Sequence, residues 1–241
     1  MRPLGLARRL TAEAIGTGFL VAAVVGSGIA AQRLSPNDLG LQLLENSFAT
    51  GTALIALILA FGSLSGAHFN PVITLADRML GGMASGEAGA YVGAQVVGGC
   101  IGAIVANLMF DLSAIEWSTH DRAAGGLWFG EAVATFGLVM VILGVVRSTD
   151  AASRAAWAAV AVGGYIAAAY WFTSSTSFAN PAVTVARALT DTFAGIAPAS
   201  LPAFVAAQLA GGIAAVGLAR FLWPTLPAAD LIVPHEPADA A

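Results

Sequence analysis

The octapeptide Asn-Pro-Val-Ile-Thr-Leu-Ala-Asp occupies residues 70–77, and a close copy, Asn-Pro-Ala-Val-Thr-Val-Ala-Arg, occupies residues 180–187. Four positions are identical and three exchange one apolar residue for another. Asparagine is a strong helix N-cap and proline is favoured at the first helical position, so each copy predicts the start of a helix. The two predicted helices, over 70–79 and 180–189, are each only about 15 Å long, which is half the thickness of a bilayer core.

The composition around these copies is that of a membrane protein. Of the 241 residues, 58% are hydrophobic and 10% are charged, with a mean hydropathy of +0.81, whereas a soluble domain carries about 25% charged residues. Uncharged stretches long enough to cross a bilayer predict six membrane-spanning helices, over 10–32, 41–64, 86–110, 127–147, 154–173 and 199–222. The fold class expected is therefore an all-α membrane protein with six transmembrane helices and two re-entrant half-helices.

Several classes of function are excluded by the same composition. The net charge is −4 and lysine is absent, so the chain has no basic stripe with which to bind nucleic acid. Cys100 is the single cysteine, and no group of cysteines and histidines has the spacing of a metal or haem site. Neither a cofactor nor a metal is expected, and the spans contain no convincing nucleophile–base pair of an enzyme.

A second internal match shows that the chain is built from two halves. Glu13-x-x-x-Thr17-x-x-Leu20 opens the first predicted span and Glu131-x-x-x-Thr135-x-x-Leu138 opens the fourth. We expect one repeat over 1–115, a second over 116–223, and a disordered cytoplasmic tail over 224–241. Because three spans is an odd number, the second repeat must enter the membrane from the opposite face, and the two half-helices then meet at the midplane.

The distribution of arginine predicts that both termini lie in the cytoplasm. An even number of spans places the termini on one side. Seven arginines fall on that side and three on the other, and the positive residues of membrane proteins concentrate in the cytoplasm. The seven are Arg2, Arg8, Arg9, Arg78, Arg147, Arg154 and Arg220, and the three are Arg33, Arg122 and Arg187.

Two half-helices that meet end to end predict a pore for neutral solutes. The non-helical backbone before each cap is tolerated at membrane depth only where it lines water or packs inside protein. Both helix N-termini carry partial positive charge and disfavour cations. The side-chain amides of Asn70 and Asn180 have N–H groups that donate hydrogen bonds to hydroxylated solutes.

The segments Ser65-Gly-Ala-His-Phe-Asn-Pro-Val72 and Ser177-Phe-Ala-Asn-Pro-Ala182 resemble the twin Asn-Pro-Ala loops of the aquaporin, or major intrinsic protein, family. The resemblance covers residues 8–222. It implies a homotetramer with one pore per subunit, lying in the inner membrane of a bacterium and passing water, glycerol or other small neutral solutes passively. It also assigns the caps of the pore half-helices to Asn70, Pro71, Val72, Asn180, Pro181 and Ala182.

The resemblance fails at the outer constriction. Most family members have an arginine three residues after the second asparagine, where this chain has Val183, and Arg187 is expected to lie too far along the helix to replace it. The family's offsets place the remaining constriction residues at Thr50, at Ala167 or Ala168, and at Ser177 or Thr176. These small side chains predict a wide, weakly polar opening. The amino-acid sequence of the second loop resembles that of bacterial members associated with arsenic resistance, which implies passage of arsenite and methylated arsenicals.

Other polar residues admit two interpretations. Glu13 and Glu131 either relay protons or accept hydrogen bonds from two equivalent loops, and their symmetric placement favours the second role. His68 and Phe178 are expected to line the pore, with His68 either a pH gate or a local hydrogen-bonding group. Asp77, like Arg187 in the other repeat, is expected to be a solvated charge at a helix end. Gly98-x-x-x-Gly102 is expected to be a close-packing face.

Two rival functions remain open from the sequence. An ion-coupled secondary transporter also uses inverted repeats and broken helices, but it needs ionisable or carbonyl ion sites at the midplane. A membrane protein with a closed pore and a structural role is the other alternative. A passive channel is favoured because the spans carry few acids apart from Glu13 and Glu131.

Overall fold

The computed structural model describes residues 4–149 and 153–224, and these residues form helices joined by loops and turns, with no strand among them. Six helices are long and apolar enough to cross a membrane. They are α1 (Leu6–Leu34), α2 (Leu39–Ser65), α4 (Ser85–Met109), α5 (Gly125–Ser148), α6 (Arg154–Phe172) and α8 (Leu201–Leu222). The two short helices are α3 (Pro71–Leu80) and α7 (Pro181–Ala186). The tail predicted over 224–241 lies, from residue 225 onward, outside the described residues.

The six predicted spans and both half-helices are confirmed, with differences at their ends. Helix α1 begins four residues earlier than predicted, because Arg9 is tied to α4: its Nε donates to the Tyr91 hydroxyl at 2.8 Å and its Nη1 lies 3.2 Å from Glu87 Oε1. Helix α2 begins at Leu39, where the Asp38 side chain accepts from the Leu41 N–H at 2.9 Å. Side-chain caps and cross-helix pairs of this kind are not visible in hydropathy alone.

The long helices pack in the same way within each half of the chain. The first span of each half packs against the third, α1 on α4 and α5 on α8, while α2 packs against α6 between the halves. Glycines allow the first of these contacts: a Cβ on Gly98 would lie 2.0 Å from the carbonyl oxygen of Ala14, and one on Gly211 would lie 2.3 Å from that of Ala132. Small residues let helix backbones approach closely in lipid.

The half-helices lie between the two halves. Each follows the second span of its half, and α3 and α7 each contact both α4 and α8. Because the halves have opposite orientations, α3 and α7 enter from opposite faces with their N-termini toward the centre. Helix α7 is shorter than predicted: the α-helical geometry ends at Ala186, and a 3-10 turn follows over Arg187–Leu189. The repeat boundary near residue 115 falls in the connection between α4 and α5 and stays a prediction.

The outer surface of the bundle carries large apolar side chains, as expected for helices in contact with lipid. Aromatic residues are exposed near the helix ends, where amphipathic rings are favoured at the membrane interface. At the end of the bundle where α5 begins and α6 ends, the exposed aromatic residues are Trp117, Trp128, Phe129, Trp171 and Phe172. At the opposite end they are Trp157 and Phe221.

We predict that Gly98→Ala destabilises the bundle whereas Gly93→Ala on the same helix does not. A Cβ at position 98 meets the backbone of α1, and a Cβ at position 93 meets nothing within 4 Å. In detergent, Gly98→Ala should lower the apparent unfolding temperature by roughly 5 °C or more. Equal unfolding temperatures for the two variants, measured by intrinsic fluorescence, would show that the α1–α4 contact tolerates separation.

Candidate functional site

The centre of the molecule is held by two asparagines that reach across to each other's loop. Asn70 Nδ2 donates to the backbone carbonyl of Ala179 at 2.8 Å, and Asn180 Nδ2 donates to that of Phe69 at 2.7 Å. Their Oδ1 atoms cap the half-helices, that of Asn70 accepting from the Val72 N–H at 2.9 Å. Because an amide nitrogen carries two hydrogens, each asparagine keeps a second N–H beyond the one donated to the opposite loop.

The loops before the asparagines have the same unusual backbone. Ala67 and Phe69 in the first loop have φ of 48° and 47°, and the equivalent Ser177 and Ala179 in the second have φ of 50° and 48°. Non-glycine residues in this left-handed region cost on the order of 1–3 kcal/mol each, and they persist only where the surroundings fix them. This irregular backbone turns successive N–H and C=O groups in different directions, so each loop needs partners that a helix would not need.

Buried carboxylates supply those partners. Glu13 is fully buried and accepts from the His68 N–H at 3.0 Å, the Phe69 N–H at 2.8 Å and the Ser65 hydroxyl at 2.6 Å. Glu131 is also fully buried and accepts from two N–H groups of the second loop, those of Phe178 and Ala179, both at 2.8 Å. Both acids therefore accept hydrogen bonds from the loops, and the choice between holding the loops and relaying protons stays a prediction.

Two glutamines complete this network, and neither was singled out from the sequence. Gln95 Nε2 donates to Glu13 Oε2 at 2.7 Å and to Thr74 Oγ1 at 3.0 Å. Gln208 Nε2 donates to Glu131 Oε2 at 2.5 Å and to Thr184 Oγ1 at 2.8 Å. The signal was present as a third internal match, Ala-Gln-Val-Val-Gly-Gly over 94–99 and Ala-Gln-Leu-Ala-Gly-Gly over 207–212.

A cavity of about 50 Å³ passes both asparagine caps and is lined from both halves of the chain. The aliphatic lining residues are Leu20, Val24, Leu54, Ile58, Ile73, Leu138, Ile142, Val162, Ile166 and Val183. The polar and loop residues of the lining are Thr50, Ala67, His68, Phe69, Asn70, Tyr170, Ser177, Phe178, Ala179, Asn180 and Arg187. The lining thus offers hydrocarbon to the carbon skeleton of a solute and polar groups to its hydroxyls.

At the end of the cavity near α3, His68 lies in a polar cluster. Its Nδ1 lies 3.1 Å from Thr74 Oγ1, and its ring centroid lies 5.5 Å from that of Tyr91. The Tyr91 hydroxyl donates to the Ser65 carbonyl at 2.9 Å and accepts from Arg9. His68 therefore lines the cavity and also bonds locally, and gating by its protonation stays a prediction.

The opposite end of the cavity differs from the opening predicted from the sequence. Arg187, which was expected to lie too far along the helix, is only 2% exposed and lines the cavity. The guanidinium carbon lies 3.3 Å from the centroid of the Phe178 ring, and Nε donates to the Ala194 carbonyl. The prediction assumed that α7 continues to residue 189. The helix instead ends at Ala186, and the long Arg187 side chain places its guanidinium on the Phe178 ring of the loop before α7.

A second arginine lies behind the same ring. The Arg122 guanidinium carbon lies 4.9 Å from the Phe178 centroid, and its Nε donates to the Gly195 carbonyl at 3.1 Å. The segment before α5 is fixed to the segment after α7 by backbone bonds, among them Ser118 N–H to the Ala188 carbonyl at 3.0 Å. Burial lowers the pKa of Arg122 from its ordinary value, although the charge of Glu131 opposes this shift.

Helix α6 also presents different residues from those predicted. Ala168 is exposed and Ala167 faces α2, where a Cβ added to Gly51 would lie 2.8 Å from the Ala167 Cβ. The residues of α6 that line the cavity are Val162, Ile166 and Tyr170, spaced four apart on one helix face. The Tyr170 hydroxyl lies 3.2 Å from Thr50 Oγ1. The family's offsets therefore missed an aromatic residue by two positions, because the register of α6 is set by its packing on α2.

The remaining predicted residues are divided between the cavity and the scaffold. Thr50, Ser177 and Val183 line the cavity, and the half-buried Thr176 is not part of the lining. Val72 does not crowd the pore: its Cγ1 lies 2.2 Å from where a Cβ on Gly212 would stand, so its bulk packs against α8.

The other half-helix residues are equally buried. Pro71, Pro181 and Ala182 lie within the first turns of α3 and α7 and are buried. Asp77 was expected to be solvated, yet it is only 1% exposed.

A bundle of six spans and two opposed half-helices around a partly polar cavity is the fold of a membrane channel. The family model of the major intrinsic proteins matches residues 1–179, and the chain belongs to this family. Members of the family are channels, so the chain is an integral membrane channel protein and not an enzyme.

Individual relatives agree with this assignment. The chain is 48% identical to the aquaglyceroporin AqpS of Rhizobium meliloti (strain 1021) over 240 residues, which is 100% of both chains. It is 32% identical to the probable aquaporin AqpM of Archaeoglobus fulgidus over 241 residues, covering 90% of this chain and 97% of that protein. The X-ray structure of the aquaglyceroporin from Plasmodium falciparum matches with a TM-score of 0.70 at 20% identity, over 92% of this chain and 99% of that one, and shows the same fold.

We predict that Glu131→Gln weakens the second loop whereas Glu116→Gln leaves it intact. In the wild type, each of two loop N–H groups donates to one carboxylate oxygen of Glu131. Glutamine replaces one of these oxygens by an NH2 group, so one loop N–H loses its acceptor, which costs about 1–3 kcal/mol of stability. Glu116 is exposed on the connection between α4 and α5. The unfolding temperature and the water permeability of liposomes should both fall for Glu131→Gln alone. Identical values for the two variants would exclude the loop-holding role.

Proposed function

We propose that this chain is a passive channel for water and small neutral polyols of the glycerol class. The observation that carries the proposal is the cavity that passes Asn70 and Asn180, whose lining combines aliphatic and polar residues. No carboxylate of the described residues lines this cavity. A solute there exchanges water for amide, carbonyl and hydroxyl groups as well as hydrocarbon, which suits a small molecule that carries hydroxyl groups on a carbon skeleton.

The buried acids support a channel over an ion-coupled transporter. Glu13 and Glu131 are fully buried, and each is engaged by loop N–H groups and a glutamine. A coupling acid must exchange its ion with the transport pathway, and these carboxylates are fully buried in scaffold hydrogen bonds. The other alternative, a structural membrane protein with a closed pore, is distinguished from a channel by measuring solute flux.

Arsenite and methylated arsenicals are proposed as further solutes. Arsenite at neutral pH is an uncharged trihydroxide, so its hydroxyl groups match the same polar lining residues that suit glycerol. The 48% identical relative is named an aquaglyceroporin, which favours solutes larger than water. Because Tyr170 and Arg187 line the outer end, we propose an opening more polar than the small residues of the sequence alone would give.

The assembly and orientation are part of this proposal. We infer a homotetramer in the inner membrane, with one pore per subunit and membrane lipid around it, from the family resemblance. The arginine distribution supports cytoplasmic termini: Arg8, Arg9, Arg78, Arg147, Arg154 and Arg220 lie at one end of the bundle, and Arg33, Arg122 and Arg187 lie at the other.

Stopped-flow light scattering of liposomes tests the function. We expect fast osmotic water flow and fast glycerol-driven reswelling, both with low activation energy and without saturation, and arsenite uptake at a comparable rate. Saturation together with a high activation energy would show that the protein is a carrier and not a channel. Water flow without glycerol entry would remove the polyols and the arsenicals from the solute list.

We predict that Val183→Arg reduces glycerol flux by roughly tenfold because it adds bulk and a second guanidinium near Arg187 in the lining. Val183→Leu is the matched control, since it adds bulk without charge. The comparison uses glycerol reswelling normalised to the amount of protein reconstituted. If Val183→Arg conducts glycerol as the unmodified protein does, position 183 is not part of the narrow region.

A further inference from the structure

We propose that Arg187 Nη1 and Ser177 Oγ together form a hydrogen-bonding site for solute hydroxyls at the outer end of the cavity. This inference rests on the proposed passage of neutral polyols and names the residues that select them. It also assigns to Arg187 the exclusion of cations at that end. Val183, three residues after Asn180, then only contributes apolar surface to the lining.

Both atoms are buried polar groups without a protein partner. Arg187 and Ser177 are each 2% exposed, and both line the cavity. Within residues 4–149 and 153–224, no hydrogen-bond partner is found for Arg187 Nη1 or for Ser177 Oγ. A buried donor without a partner costs about 1–3 kcal/mol. A solute hydroxyl in the cavity can accept from the guanidinium and bond to the serine hydroxyl, which removes this penalty.

The guanidinium is fixed in place before any solute arrives. Its face lies on the Phe178 ring at 3.3 Å from the centroid, and its Nε donates to the Ala194 carbonyl. Phe178 is itself held by Glu131 through its backbone N–H, and Arg122 lies near the same ring. A donor held in this way loses little conformational entropy on binding, so weak binding and rapid release are compatible with conduction.

The charges around this site favour rejection of cations. Two guanidinium groups lie within 5 Å of one ring centroid. Glu131, the acid that lies beneath the loop, accepts bonds from the Phe178 and Ala179 N–H groups and from Gln208, and it does not line the cavity. Arg187 therefore adds positive charge to the positive N-terminal ends of the half-helices along the same path.

The test is Arg187→Met, which keeps a long unbranched side chain but removes charge and donors. Arg33→Met is the matched control, because Arg33 also stacks on a phenylalanine, with its guanidinium carbon 5.2 Å from the Phe110 centroid, and donates to a backbone carbonyl, yet it is absent from the lining. We expect Arg187→Met to lower the ratio of glycerol to water permeability by about fivefold and to raise the proton and potassium leak. Arg33→Met should change neither.

Two further variants separate the two roles. Arg187→Lys keeps the charge and should keep the leak low while glycerol permeability falls. Ser177→Ala should lower glycerol permeability by about threefold with no change in leak. Wild-type glycerol flux and leak in Arg187→Met would overturn the proposal. If neither Arg187 variant folds, wild-type glycerol flux in Ser177→Ala overturns it instead.

The outcome is distinguishable from failure of the proposed function. If the unmodified protein conducts water but not glycerol, the polyol proposal fails. The leak of Arg187→Met relative to Arg33→Met still decides whether Arg187 excludes cations, since that measurement needs no polyol.

Discussion

The reciprocal hydrogen bonds between Asn70 and Asn180 and the opposite loops are the constraint on which the rest of the structure depends. Each side-chain N–H ends on a backbone carbonyl of the other half, at 2.8 and 2.7 Å. These bonds fix the two half-helix N-termini against each other without a covalent link. The position of the cavity and the meeting of the two positive helix ends follow from this arrangement.

Holding such loops inside a bilayer requires buried charge. A carboxylate at membrane depth is costly, and a loop with unpaired N–H groups is costly as well, so the two are stable only together. Glu13 and Glu131 each accept loop N–H groups, and Gln95 and Gln208 connect them to Thr74 and Thr184 on the half-helices. The most polar part of the molecule is thereby its most rigidly specified part.

The sequence was sufficient for the scaffold because repeats and caps are local patterns. Spacing and hydropathy predict the six spans and the half-helix starts at Asn70 and Asn180. They also predict that Glu13 and Glu131 occupy equivalent positions in the two halves. The end of the cavity near Arg187 could not be predicted in this way. Tyr170 lies in the cavity because of the register of α6 on α2, and the Arg187 side chain lines it with its guanidinium on the Phe178 ring. Both depend on tertiary packing, which a residue count from one motif does not contain.

The hydrogen-bonded scaffold and the ends of the cavity are built from different residues, and this affects how the sequence of such a chain can change in evolution. Asparagine, threonine, glutamate and glutamine recur at equivalent places in both halves, whereas the seventh residue after each asparagine is Asp77 in one and Arg187 in the other. The hydrogen bonds that join glutamate, glutamine and threonine in each half do not include this position, so its charge differs between the halves while that network is kept. Selectivity can therefore evolve in one half at a time, while the shared interior preserves folding.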